Sequence, residues 1–221
     1  MPTLLWTGKI SLPLRLMVNM GCIVAWITGN ARDTSAMKER MKNGYSGQLI
    51  SFHEADAERL PFDKNTYDVA ILNMVLGMVP NQQAAITELT RILRPGGTIA
   101  LSAQGPAHYM EAVEACVKSM NMRFFFGHRM EFWPRDENEI KTFFMNAGLD
   151  NIQTERLSWI DKFENGGEVF DYFASTSGLW WYHRLPPGIR NKETEKTRTY
   201  FQRKNVAEIT SDVVFAFGSK K

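Results

Sequence analysis

Cysteine is scarce: the chain has two in 221 residues, Cys22 and Cys116. Two thiols cannot form a disulfide framework, and neither has the spacing of a zinc ligand, so reduced thiols and an intracellular setting are expected. Charge of one sign is also missing, because 26 Lys and Arg stand against 24 Asp and Glu, a net +2. That balance gives no field to attract nucleic acid or an anionic membrane, and no nucleic-acid partner is expected. The basic run Lys192, Lys196, Arg198, Arg203 and Lys204 is interrupted by Glu193 and Glu195, which is the pattern of a solvated helix face. No apolar run is long enough to span a bilayer; residues 16–28 come nearest and are broken by Asn19, so no integral membrane segment is expected. G-x-G-x-x-G occurs nowhere, which argues against a nicotinamide-dinucleotide enzyme. The first 32 residues carry no acid, Asp33 being the first. This stretch is read as the lead-in to a buried strand, with a signal or transit peptide as the alternative. A cytoplasmic location is expected, with a mitochondrial one as its alternative.

What is present is ordinary for one globular domain spanning 1–221: 44% apolar and 23% charged residues, at a length that suits a single α/β unit. Residues 1–21 are atypical, and residues 167–204 look like a helical insertion or lid carrying Trp180, Trp181 and Tyr182. Residues 22–28 (CIVAWIT) are a short apolar run, the signature of a buried parallel strand, and residues 67–73 (YDVAILN) read as a second clearly apolar strand. Residues 48–53 read as a short strand and 98–102 as a third apolar strand. Residues 81–93 carry Ala85, Ile86, Leu89, Ile92 and Leu93 on one helical face. Pro95, Gly96 and Gly97 then form a turn. Helices are expected over 107–120 and 137–147, and late strands over 151–159 and 212–218. Strands alternating with helices predict a mainly parallel α/β sheet.

One stretch is specific. Asp56-Ala57-Glu58-Arg59-Leu60-Pro61-Phe62 follows a short strand, Tyr67-Asp68-Val69-Ala70 opens the next, and Arg94-Pro95-Gly96-Gly97 closes the helix after it. In this order over about fifty residues, the pieces resemble the UbiE/COQ5-like (type 11) branch of class I S-adenosylmethionine (SAM) dependent methyltransferases. The resemblance implies a Rossmann-like class I methyltransferase fold with an antiparallel C-terminal strand, SAM as cofactor and a small-molecule methyl acceptor. It also implies roles. Asp56 and Ala57 would meet the adenine, carboxylate to amino group and backbone N–H to ring nitrogen, while Asn73 would line the methionine part. Asp33 would bind the ribose hydroxyls, a helix N-cap being its other reading.

The family's G-x-G-x-G loop is missing or degenerate. Counting back from Asp33 places the first strand near residues 13–15, where Pro13 is a poor fit, and only Gly8 and Gly21 lie nearby. First strand and loop are therefore expected to be incomplete. Two explanations stand: a chain truncated or altered at its start, or a variant that has lost the loop. The second leads to a catalytically inactive binding or regulatory protein, the alternative to a working enzyme. If a proton must be removed from the acceptor, His108, just after the 98–102 strand, is the candidate base. His128, beside three phenylalanines, and His183 are further ones.

Overall fold

A computed structural model describes residues 4–8, 22–27, 51–120, 136–175 and 186–221, with backbone alone at 4–8, 22–27, 51–54, Met78 and Met120. Seven strands form one sheet in the order β3-β2-β1-β4-β5-β7-β6. They are β1 Leu4–Gly8, β2 Cys22–Ile27, β3 Ser51–Ala55, β4 Tyr67–Asn73, β5 Leu93–Gln104, β6 Leu149–Lys162 and β7 Glu208–Lys220. The described helices are α1 Gln82–Ile92, α2 Met110–Met120, α3 Glu137–Asn146, α4 Gly166–Ser175 and α5 Pro187–Lys204, with a 3-10 turn at Leu76–Met78. Strands β3, β2, β1, β4 and β5 pair in parallel. Along β7 the order reverses. Lys220 meets the Leu93 carbonyl at the start of β5, while Asp212 meets the Ala107 amide just past its end. Lys162 pairs with Glu208, and Ser158 with Asp212, in opposite order along β6. The expected antiparallel C-terminal strand is therefore β7, between two neighbours that run against it.

The first strand lies at Leu4–Gly8, upstream of residues 13–15 where the count from Asp33 put it, and it occupies the centre of the parallel part, between β2 and β4. The reason is chemical: a central strand donates on both edges, which Pro13 cannot do and Leu4, Leu5 and Trp6 can. Thirteen residues, 9–21, separate β1 from β2 in the sequence, close to the minimum that a parallel connection needs. The stretch where the glycine loop would fall lies outside the described residues, as do Asp33, His128, His183, the 124–126 phenylalanines and the 180–182 aromatic cluster.

Strand β5 starts earlier than expected, at Leu93. Tyr67 is opposite Leu93 while Val69 is opposite Thr98, so residues 94–97 bulge out of the ladder. The predicted turn is this bulge. Gly96 has φ +79°, and a Cβ on Gly97 would lie 2.9 Å from the Arg94 carbonyl and 3.0 Å from that of Asp68, so both glycines are required where they stand. The Arg94 guanidinium closes the bulge on the Asp68 carboxylate at 2.8 and 3.0 Å.

The chain packs as two compact units. One comprises residues 1–105, 132–156 and 214–221, the other 106–131 and 157–213. The core of the first is built from β4, β5 and α1 (Tyr67, Ala70, Leu72, Ile86, Leu89, Ile92, Ile99 and Leu101), with Ile140 and Phe144 from α3. In the second unit Ala112, Ala115, Cys116, Val169, Phe170, Phe173, Phe201 and Ile209 pack together. Burial holds the Cys116 thiol well above its ordinary range, as expected of an inert packing cysteine. Helices α4 and α5 account for much of the 167–204 segment. The basic run on α5 is exposed and locally paired, Arg198 with Asp171 and Lys196 with Glu193.

Candidate functional site

In an open parallel sheet, ligands lie across the carboxyl ends of the strands. Asp56 is the first residue past β3, and Asn73 is the last of β4. Between them in the sheet stand β2 and β1. Three strand spacings therefore separate the two positions, about 14 Å, the reach of a nucleoside joined to an amino acid.

Segment 56–62 is held rigidly from below by α1. Asp56 Oδ1 accepts from the Glu58 amide at 2.9 Å, and its carbonyl accepts from the Arg59 amide at 3.1 Å. Glu58 Oε1 accepts from the Asn81 amide (2.8 Å), and Asn81 caps α1 by accepting from Ala84. Farther along the helix, Glu88 Oε2 accepts from the Leu60 amide. Arg91 donates to the carbonyls of Leu60 and Phe62 and to Glu88. The Arg91 hydrogen bond holds the Glu88 carboxyl below its ordinary range. In this partly solvated pair the charges contribute on the order of 1 kcal/mol, and the larger effect is positional. Leu60 and Ala57 are buried and anchor the segment, leaving Asp56 exposed at the sheet edge with one carboxylate oxygen closing the turn.

At the end of β4, Asn73 Oδ1 accepts from Ser102 Oγ at 2.6 Å. Met74 follows at φ +53°, in the left-handed region that a side chain with a Cβ rarely adopts. Its amide donates to the Ser102 carbonyl (2.8 Å) and Oγ (3.2 Å). Gln104, the last residue of β5, donates from Nε2 to the Met74 carbonyl at 3.5 Å. Gln104 lies beyond the expected 98–102 strand, and Ser102 closes that strand with no role assigned to it. Two polar residues two apart at a strand terminus were the available signal.

His108 belongs to the second unit. It is 5% exposed, stacked on Tyr109 at 3.8 Å between ring centroids, and its Nδ1 accepts from the Asp212 amide at 3.1 Å. The neutral ring thus carries its proton on Nε2. Burial lowers its pKa to about 4, against the opposing pull of Asp212 and Asp161. At neutral pH the ring has its one lone pair engaged and acts as a donor. The Asp212 carboxylate is fully buried and accepts from Ala107 N (2.8 Å) and Ser158 Oγ (3.0 Å). Tyr109, at φ +55°, meets Tyr172 hydroxyl to hydroxyl at 2.7 Å. No group of three or more potential metal ligands occurs among the described residues. No helix among them is long and apolar enough to cross a membrane.

The parallel sheet in the order 3-2-1-4-5, followed by the antiparallel β7, is the class I methyltransferase architecture. Residues 8–101 match the type 11 family model described as "Methyltransferase domain". An uncharacterized protein, Rv1405c, of Mycobacterium tuberculosis is 25% identical over 174 residues, covering 78% of this chain and 61% of that one. The demethylmenaquinone methyltransferase of Staphylococcus carnosus is 29% identical over 136 residues, 55% of each chain. The chain thus spans between half and two thirds of the length of these relatives. Among solved structures, the YcgJ protein of Bacillus subtilis superposes with TM-score 0.63 at 16% identity, covering 100% of this chain and 92% of that one. Phosphoethanolamine N-methyltransferase 2 of Haemonchus contortus, in complex with S-adenosyl-L-methionine, gives 0.59 at 13% identity, covering 99% and 48%. At such identities these structures establish the fold.

Proposed function

We propose that the chain binds SAM across the carboxyl ends of β3, β2, β1 and β4 and methylates a small-molecule acceptor. The observation that carries this reading is the pinned 56–62 segment, which holds an exposed carboxylate at one end of the strand edge that Asn73 closes at the other. Asp56 would accept from the adenine amino group and the Ala57 amide would donate to the ring. Asn73 would line the methionine part, and Asp33, by family likeness, would hold the ribose. When bound, SAM supplies an electrophilic methyl group on a sulfonium, so the chemistry is the cofactor's. The residues of the chain orient it and exclude water. We assign His108 no proton-abstracting role, because the Asp212 amide occupies its lone pair; it fixes the turn after β5. Small acceptors accord with the demethylmenaquinone and phosphoethanolamine enzymes among the similar proteins.

Thermal unfolding with S-adenosylhomocysteine (SAH) tests the reading. At one hundred times Kd, a ligand stabilises by about 2.7 kcal/mol, roughly 5–10 °C for a chain of this size. Asp56→Ala removes a hydrogen bond to a charged group, about tenfold in affinity, and the shift falls to about half. An unchanged shift in the variant removes Asp56 from the site, and no shift in folded wild-type protein removes the cofactor. A second reading, a methyltransferase-like binding protein without turnover, is favoured by the lack of G-x-G-x-G between Gly8 and Cys22. Methyl transfer to any acceptor refutes it.

A further inference from the structure

Resting on the SAM reading above, we propose that Gln104 is a cofactor-positioning residue whose side-chain Oε1 accepts a hydrogen bond from the α-ammonium group at the amino-acid end of the cofactor. Gln104 is 6% exposed. Its Oε1 is buried and has no hydrogen-bond partner among the described residues, although buried polar atoms are almost always paired. The orientation of the amide is fixed, because Nε2 faces the Met74 carbonyl and a flipped amide would set oxygen against oxygen.

Two neighbouring polar groups are already engaged. Asn73 Oδ1 takes the Ser102 hydroxyl, and the Met74 amide is taken by Ser102. The left-handed turn at Met74 carries its carbonyl to the end of β5, a strained arrangement of the kind that gathers at ligand sites. The amide oxygen can only accept, so a donor must come to it. Because the side chain reaches back to Met74, this acceptor stands at the β4 end of the strand edge, far from Asp56. A ligand with its adenine at Asp56 brings its amino-acid part here. That part carries one strong donor, the ammonium group.

Isothermal titration of the wild type, Gln104→Leu and Gln104→Glu with SAH and with 5′-methylthioadenosine, which lacks the amino-acid tail, tests the assignment. Gln104→Leu is expected to weaken SAH binding roughly tenfold and to leave methylthioadenosine binding unchanged. Gln104→Glu, whose carboxyl can replace Nε2 only by donating a proton to the Met74 carbonyl, keeps an acceptor in that form and is expected to retain SAH binding. The ligand-free Leu variant loses the long 3.5 Å contact of Nε2 with the Met74 carbonyl together with the unpaired acceptor, so its melting temperature is expected to change little, whereas a purely structural glutamine would lower it. Undiminished SAH binding by the Leu variant overturns the proposal, as does equal weakening of both ligands. Wild-type protein that binds neither ligand overturns the SAM reading itself.

Discussion

Gly166→Ala is expected to destabilise the second unit by about 3 kcal/mol or more, at the upper end of overpacking costs. Gly166 opens α4, where Asn165 Oδ1 caps the helix by accepting from the amides of Gly167 and Glu168. A Cβ at this position would overlap the backbone carbonyl of Phe201 in α5. That carbonyl is not free to move. It accepts from the Val206 amide at 3.1 Å, while the Asn205 amide donates to Gln202. With Asn205 at φ +48°, this is the Schellman ending of the helix. Phe201 is itself fully buried and packs edge-on against Phe170 at 5.6 Å. Relief of the overlap therefore breaks either a helix cap or an aromatic contact. Denaturant unfolding with a probe on α4 or α5 measures the loss. A midpoint within error of wild type would refute the close approach of the two helices.

Acid is expected to remove about 3 kcal/mol through His108 alone. Its folded pKa is about 4, against an unfolded value near 6.5. Between these values the unfolded chain binds a proton that the folded one refuses. The stabilisation is complete above pH 6.5 and is lost progressively as pH falls toward 4. Roughly 2 kcal/mol of it goes between pH 6.5 and 5, above the range in which carboxylates titrate. His108→Phe keeps a ring to stack on Tyr109 but cannot titrate. It is less stable at neutral pH, since the Asp212 amide loses its acceptor, and its stability is flatter between pH 7 and 5. Parallel pH profiles for the variant and the wild type would contradict the buried, neutral imidazole.

Much of the parallel sheet was legible in the chain. Residues 22–28 and 67–73 are apolar stretches too short for a helix, and strands β2 and β4 lie there. The Asp56 turn was legible for a different reason, since its residue types fit both a carboxylate-closed turn and an adenine contact, and the structure shows the turn. Strand β1 was not legible. Five residues, LLWTG, carry no period, and their role as the central strand comes wholly from pairing with β2 and β4. The bulge at 94–97 reads as a turn because Pro-Gly-Gly signals the same backbone freedom in either setting; only the register against Tyr67 and Val69 distinguishes them. Gln104 was hidden because an orphaned acceptor is a property of packing, invisible until β5 is set beside Met74.

The central claim is that segment 56–62 holds the adenine of SAM. Isothermal titration of SAM into the wild-type protein and Asp56→Ala tests it most directly. One saturable site in the wild type, weakened about tenfold in the variant, is the expected result. No heat of binding from folded wild-type protein, or equal affinity in the two, would contradict it.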